Sequence, residues 1–251
     1  MARPGQPLLT YPSGPAALAH PLTFLQNVLV YMDLSPAYVT LGAGNTITGL
    51  VNRGNAGPFT VQGAGGYFFP TYVASDPVFN GKPTLRSVAN MRIDWTLAAS
   101  PTAVERFWVA TKSAPETAAD VYCGLDSVGT NQVDLTFVPH PNVRVYDCLA
   151  TNPRRDWAVS LASFHTPFLY NSRSGSAEWV SRLNGVTAFS AGGSYRAPST
   201  GLAALLYSGG TQVHFRGSCA MYALCSSIQT PAVRAQFEAW AKAEFALAGM
   251  P

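Results

Sequence analysis

The closing segment of the chain constrains the fold most. Phe215 to Ser226 reads FRGSCAMYALCS, an almost unbroken apolar run of the kind that forms a buried strand. Thr230-Pro231 then opens a periodic segment, Ala232 to Ala248, which Gly249 closes. A threonine hydroxyl caps free backbone N–H groups, and proline at the first helical position has no N–H to lose. Val233, Phe237, Trp240, Ala241, Phe245 and Ala248 recur at spacings of three and four, which predicts a single apolar helix face. Gly249 is suited to the left-handed turn that ends a helix. The chain therefore closes on a buried strand followed by one amphipathic helix.

Upstream, short apolar runs alternate with turn residues. Asn27–Met32, Met91–Leu97, Arg106–Ala110, Trp157–Phe164 and Trp179–Leu183 read as strands. Tyr67–Val73 contains Pro70, which makes it a sheet edge or an irregular extended piece. Asn80-Gly81 and Asn184-Gly185 mark tight turns. Turn signals at intervals of about 8–12 residues indicate an all-β sandwich or jelly roll. Residues 1–26, rich in Pro, Gly and Ala, read as an extended N-terminal arm that serves as an assembly contact. Residues 27–251 read as one domain.

Charged residues make up 12 % of the 251, against about 25 % in an average globular protein. The arginines are scattered, apart from Arg154-Arg155, so no basic stripe points to nucleic acid. No apolar run is long enough to span a membrane, and no secretory signal is visible. Cys123, Cys148, Cys219 and Cys225 match no zinc or redox spacing. Cys219 and Cys225 fall within one predicted strand, which leaves them as buried thiols. Cys123 and Cys148 could meet across a sheet, and nothing in the sequence demands it.

Several motifs together resemble the concanavalin A-like lectin/glucanase superfamily, in particular its laminin-G-like jelly rolls. They are the Gly-rich turn leading to Asn52-Arg53-Gly54-Asn55, the Pro70-Thr71-Tyr72-Val73 crossing and Asn80 to Arg86. Leu183 to Val186 and the Phe215 to Ala248 closure complete the set. The resemblance spans about residues 27 to 249. It implies a concanavalin A-like jelly-roll sandwich with one C-terminal amphipathic helix. The chain departs from the family where many members carry acidic residues in the closing strand. Ser218 and Met221 stand there instead.

Glycosidases on this fold place two carboxylates on one strand face. None of the 13 acidic residues lies two positions from another, so no such pair is expected and the chain reads as non-enzymatic. The four histidines show no nucleophile motif, and no metal or cofactor is expected. A sugar site needs exposed aromatics beside hydrogen-bonding side chains. Candidates are Arg155 with Trp157, Tyr170, and Tyr195 with Arg196, while Trp95, Trp108 and Trp240 read as core.

The resemblance, the low charge and the arm point to a structural protein of a phage or phage-like virion. Its expected partners are other virion proteins, further copies of itself and cell-surface polysaccharide. A carbohydrate-active enzyme, or a secreted bacterial glycan-binding module on the same fold, is the alternative. A decoration protein that binds no glycan is a third reading.

Overall fold

The computed structural model describes residues 18–63, 66–87, 91–113, 122–124, 135–140, 144–147, 150–151, 155–193, 195, 202–205 and 215–251. In the first third lie β1 (Val28–Met32), β2 (Val39–Leu41), β3 (Ile47–Leu50), β4 (Thr60–Val61), β5 (Thr71–Asp76) and β6 (Lys82–Ser87). The middle holds β7 (Ile93–Thr96), β8 (Val104–Lys112), β9 (Tyr122–Gly124), β10 (Leu135–His140), β11 (Arg144–Asp147) and β12 (Arg155–Ala158). The last part holds β13 (Phe168–Ser174), β14 (Glu178–Leu183), β15 (Val186–Gly192), β16 (Leu202–Leu205), β17 (Gly217–Cys225) and the helix α1 (Pro231–Phe245).

The fold is all-β, and α1 is the one α-helix among the described residues. Antiparallel pairing builds a large sheet in the order β15-β14-β13-β8-β17-β6-β5. β1 pairs with the second half of β17, end to end with β6, which pairs with the first half. β12-β11-β10-β9 and β16-β7-β4 form smaller sheets. β5 begins just after Pro70, where residues 67–70 are irregular, and lies at the edge of the large sheet. The β14–β15 hairpin turns on Asn184 and Gly185 at φ 51° and 80°, the left-handed pair that matches strand twist.

The central strands β8 and β17 are buried on both faces, which explains the continuous apolar run of β17. In β8, Trp108 and Ala110 face one core and Phe107 and Val109 the other. The first core gathers Trp95, Tyr170, Trp179 and Tyr222, with Trp95 6.1 Å from Tyr222. The second lies under α1, where the Phe107 and Phe237 rings are 4.2 Å apart. A bulge in β17 sets Cys219 opposite Ala110 and Met221 opposite Val109, and turns both Ala220 and Met221 to the helix side.

The helix begins as the sequence predicts: the Thr230 hydroxyl accepts the Val233 N–H at 3.3 Å, and Pro231 is the first helical residue. It ends earlier than predicted. Ala246, not Gly249, takes the left-handed position at φ 50°, so the chain folds back and buries Leu247 and Met250 in the second core. Ala248, predicted on the apolar face, is therefore exposed. The inward face also carries Arg234. Its Nε and Nη2 donate to Glu105 of β8 at 2.7 and 3.1 Å. Asn171 Nδ2 and the Gln229 N–H, at 2.9 and 2.7 Å, complete four donors around that fully buried carboxylate.

Another difference follows Trp157. The predicted strand Trp157–Phe164 stops at Ala158, and residues 161–164 form a 3-10 turn that brings Phe164 edge-on to Phe168 at 4.9 Å. Cys219 and Cys225 are buried free thiols in β17. Cys148 and the side chain of Cys123 lie outside the described residues, as do residues 1–17 of the predicted arm. Residues 18–26 pack on the domain: Leu25 is buried in the second core, and the Gln26 N–H donates to Gln229 Oε1 at 2.9 Å.

Candidate functional site

A cleft of about 610 Å³ opens beside α1. Its floor is Tyr31 and Met32 of β1, Ala220 and Met221 of β17, and Trp240 and Phe245 of α1. Polar and charged groups line it as well: His20, Asp33 and Arg53, with Lys82 and Glu244.

The Asn52-Arg53-Gly54-Asn55 motif sets the position of Arg53. The Asn52 carboxamide accepts the Tyr31 and Gly54 N–H groups, each at 3.0 Å. It donates to the Leu29 and Gly57 carbonyls, each at 3.1 Å, and so clamps the loop onto β1. Gly54 lies so close to β1 that a Cβ there would stand 2.3 Å from the Leu29 carbonyl oxygen. With the backbone fixed, Arg53 reaches into the cleft, its guanidinium 4.4 Å above the Tyr38 ring.

Arg53 Nη1 donates to Asp33 Oδ2 in a short ion pair. The other carboxylate oxygen accepts the Ser35 N–H at 2.9 Å, a local turn that leads into Pro36. Burial pushes the Asp33 carboxyl up, but the Ser35 hydrogen bonds and Arg53 outweigh it and hold the group below the usual carboxylate value. His20 Nδ1 accepts the Leu22 N–H at 3.3 Å, and Nε2 lies 3.2 Å from Arg53 Nη1 and 3.7 Å from Asp33 Oδ2. Burial and then the Arg53 charge lower the pKa of this ring, against the pull of Asp33, and favour the neutral form. Lys82 Nζ pairs with Glu244 Oε1 at 2.7 Å, both side chains 36 % exposed.

This site was not among the sequence candidates, and the described ones among them lie elsewhere. Trp157 is buried, stacked against Phe189 at 5.7 Å and Tyr170 at 6.2 Å. Tyr170 is wholly buried and its hydroxyl donates to Asp147 Oδ2 at 2.6 Å. Both rings are core, with no face open for a sugar to stack on. Arg155 is half-buried and donates from Nη2 to the Gly192 carbonyl at 3.1 Å, tying β12 to the end of β15. The half-buried Tyr195 donates its hydroxyl to the Pro101 carbonyl. Arg196 lies outside the described residues. The closing strand and helix, read from sequence as structure alone, supply the floor of the cleft and Glu244. Met221 of the closing strand is part of that floor.

Among the described residues no group of three or more His, Cys, Asp or Glu is placed to hold a metal. Asp76 is buried and caps the turn at residues 77–79, accepting the Val78 N–H at 3.1 Å. No described helix is long and apolar enough to cross a membrane.

No protein-family model and no curated protein sequence matches the chain. Solved structures match in fold. Domain 4 of an extracellular arabinanase from Geobacillus stearothermophilus, solved with arabinotriose, is similar at 12 % identity and TM-score 0.54, over 84 % of this chain and 98 % of that one. The binding domain of botulinum neurotoxin DC, solved with SialylT, aligns at 10 % identity and TM-score 0.59, over 86 % and 51 %. An arabinofuranosidase complexed with arabinofuranosyl-alpha-1,2-xylobiose aligns at 13 % identity and TM-score 0.58, over 86 % and 59 %. The chain thus matches the whole of the arabinanase domain but little more than half of the other two. At these identities the likeness establishes a shared β-sandwich fold.

Proposed function

We propose that the chain is a non-catalytic carbohydrate-binding module whose site is the cleft beside α1. The observation that carries the reading is the lining of two partly exposed ion pairs, Asp33–Arg53 and Lys82–Glu244, over an apolar floor. Such pairs present oxygen acceptors beside N–H donors, which suits sugar hydroxyls, and the floor suits the apolar face of a ring. The ligands named for the similar structures support the same class. A glycosidase needs a carboxylic acid held protonated by a raised pKa. Asp33 is shifted the other way and Glu244 is tied to Lys82. Isothermal titration against soluble oligosaccharides tests the proposal. Binding by the wild type, lost in Arg53→Ala, with no release of reducing ends on long incubation, is the expected result. Hydrolysis, or binding unaffected by Arg53→Ala, overturns it.

The finer reading is an attachment component of a phage or phage-like virion, where several copies would add weak sugar contacts into avidity. It rests on the family resemblance and the lightly charged surface. β15 supports self-association: it is an edge strand of seven residues without a charged side chain, and an uncharged edge can pair with its own copy across a two-fold axis. Antibody against the chain should label purified particles. Recovery from a bacterial cell surface without particles would favour the secreted module instead.

A further inference from the structure

The charge balance of the cleft bears on which sugars it takes. Resting on the reading above, we infer that the cleft selects neutral oligosaccharides over acidic ones, because each of its cations is already committed to a carboxylate. Arg53 and Lys82 are the two formal cations of the lining, and Asp33 and Glu244 the two anions, so the lining is neutral with His20 uncharged. A carboxylate-bearing sugar would have to take Lys82 from Glu244, 2.7 Å away, or Arg53 from Asp33.

The second exchange is the harder. The Asp33 side chain is only 12 % exposed and is fixed by the Ser35 N–H as well as by Arg53. Its charge stays in the cleft and repels an incoming anion. The Arg53 guanidinium also sits 4.4 Å above the Tyr38 ring, a contact it would give up to meet one. A hydroxyl needs no such exchange. It donates to a carboxylate oxygen and accepts from the neighbouring N–H, leaving both pairs intact. A neutral ligand bound this way gains little from long-range charge, so its affinity should change little with salt.

A glycan array carrying neutral and acidic oligosaccharides (pentose and hexose oligomers beside sialylated and uronate ones) separates the possibilities. Wild type, Glu244→Gln and Arg53→Gln are compared at low and high sodium chloride. Wild type should bind neutral members, with affinity changing less than about twofold with salt. Arg53→Gln should weaken them about tenfold, the loss of one charged hydrogen bond. Glu244→Gln, at a partly exposed pair that the fold tolerates losing, frees Lys82 and should shift preference toward acidic members. Wild-type binding of acidic members only, abolished by Arg53→Gln and strongly salt-sensitive, overturns the inference and leaves the carbohydrate reading standing. No signal of either class that responds to the cleft variants overturns both.

Discussion

Two regions of the molecule hold the same kinds of charge to different ends. Beneath α1, Glu105 and Arg234 form an ion pair in which the carboxylate is wholly buried and receives four donors. In the cleft a short distance along the same helix, Lys82 and Glu244 are each 36 % exposed. The buried pair has every oxygen satisfied and nothing left to offer a ligand. The exposed pair keeps spare lone pairs and N–H groups facing solvent. Burial decides whether an ion pair is an internal fastener or a recognition surface. A third cluster makes the same point inside the first core. Arg106 donates to Asp147 and Ser172, each at 2.8 Å, and Tyr170 donates to the same Asp147.

The comparison breaks first on Arg234→Ala. Leaving Glu105 buried without its partner should cost about 3–5 kcal/mol, a fall in Tm of roughly 6–20 °C for a chain of this size. A thermal melt that moves by less than a degree would show that the buried pair is not the fastener described here. Gly54→Ala comes next. Its Cβ would meet the Leu29 carbonyl at 2.3 Å, so the loop must shift. A loss of about 1–3 kcal/mol is expected by chemical denaturation, together with glycan binding, because Arg53 moves with the loop. Unchanged binding would detach Arg53 from the site.

Lys82→Ala should be nearly silent in stability, at under about 1 kcal/mol for a partly exposed pair, yet weaken glycan binding. The opposite pattern, a large loss of stability with binding intact, would make this pair a fastener too.

The smallest effect is on pH. Burial and Arg53 lower the pKa of folded His20 below its ordinary value near 6.5. The unfolded chain therefore takes up that proton first on acidification. The stability His20 contributes is complete above its unfolded pKa and is lost as pH falls below it toward the folded value. Asp33, whose folded pKa is also lowered, contributes only where the unfolded carboxyl would ionise, and its share is lost at still lower pH. Between pH 7.5 and 5.5 the wild type should thus lose slightly more Tm than His20→Gln. Equal slopes would remove His20 as the titrating group.

The fold was legible where signals are local. Thr230-Pro231, the period of Phe237, Trp240, Ala241 and Phe245, and the apolar run of β17 all depend on near neighbours. Arg234 was not legible, because a cation on an apolar face makes sense only once Glu105, 129 positions away, is brought beneath it. The cleft was hidden for the same reason: His20, Asp33, Arg53, Lys82 and Glu244 are ordinary residues until the sheet gathers them. One signal did point there. Asn52-Arg53-Gly54-Asn55 was read as a mark of the fold, yet the clamp made by Asn52 and the close approach at Gly54 are what aim Arg53. Trp157 misled because its polar neighbours, Arg155 and Asp156, suggest a surface. Strand alternation turns Trp157 inward and leaves Ala158 exposed.

The most direct test of the central claim is amide chemical-shift mapping of the whole chain, titrated with the best-binding oligosaccharide. Perturbed amides should cluster at Ser35, Tyr38, Arg53, Lys82 and Glu244, with those of Trp157 and Tyr170 unmoved. Perturbation centred on Arg155 and Tyr195, with the cleft unmoved, would contradict it.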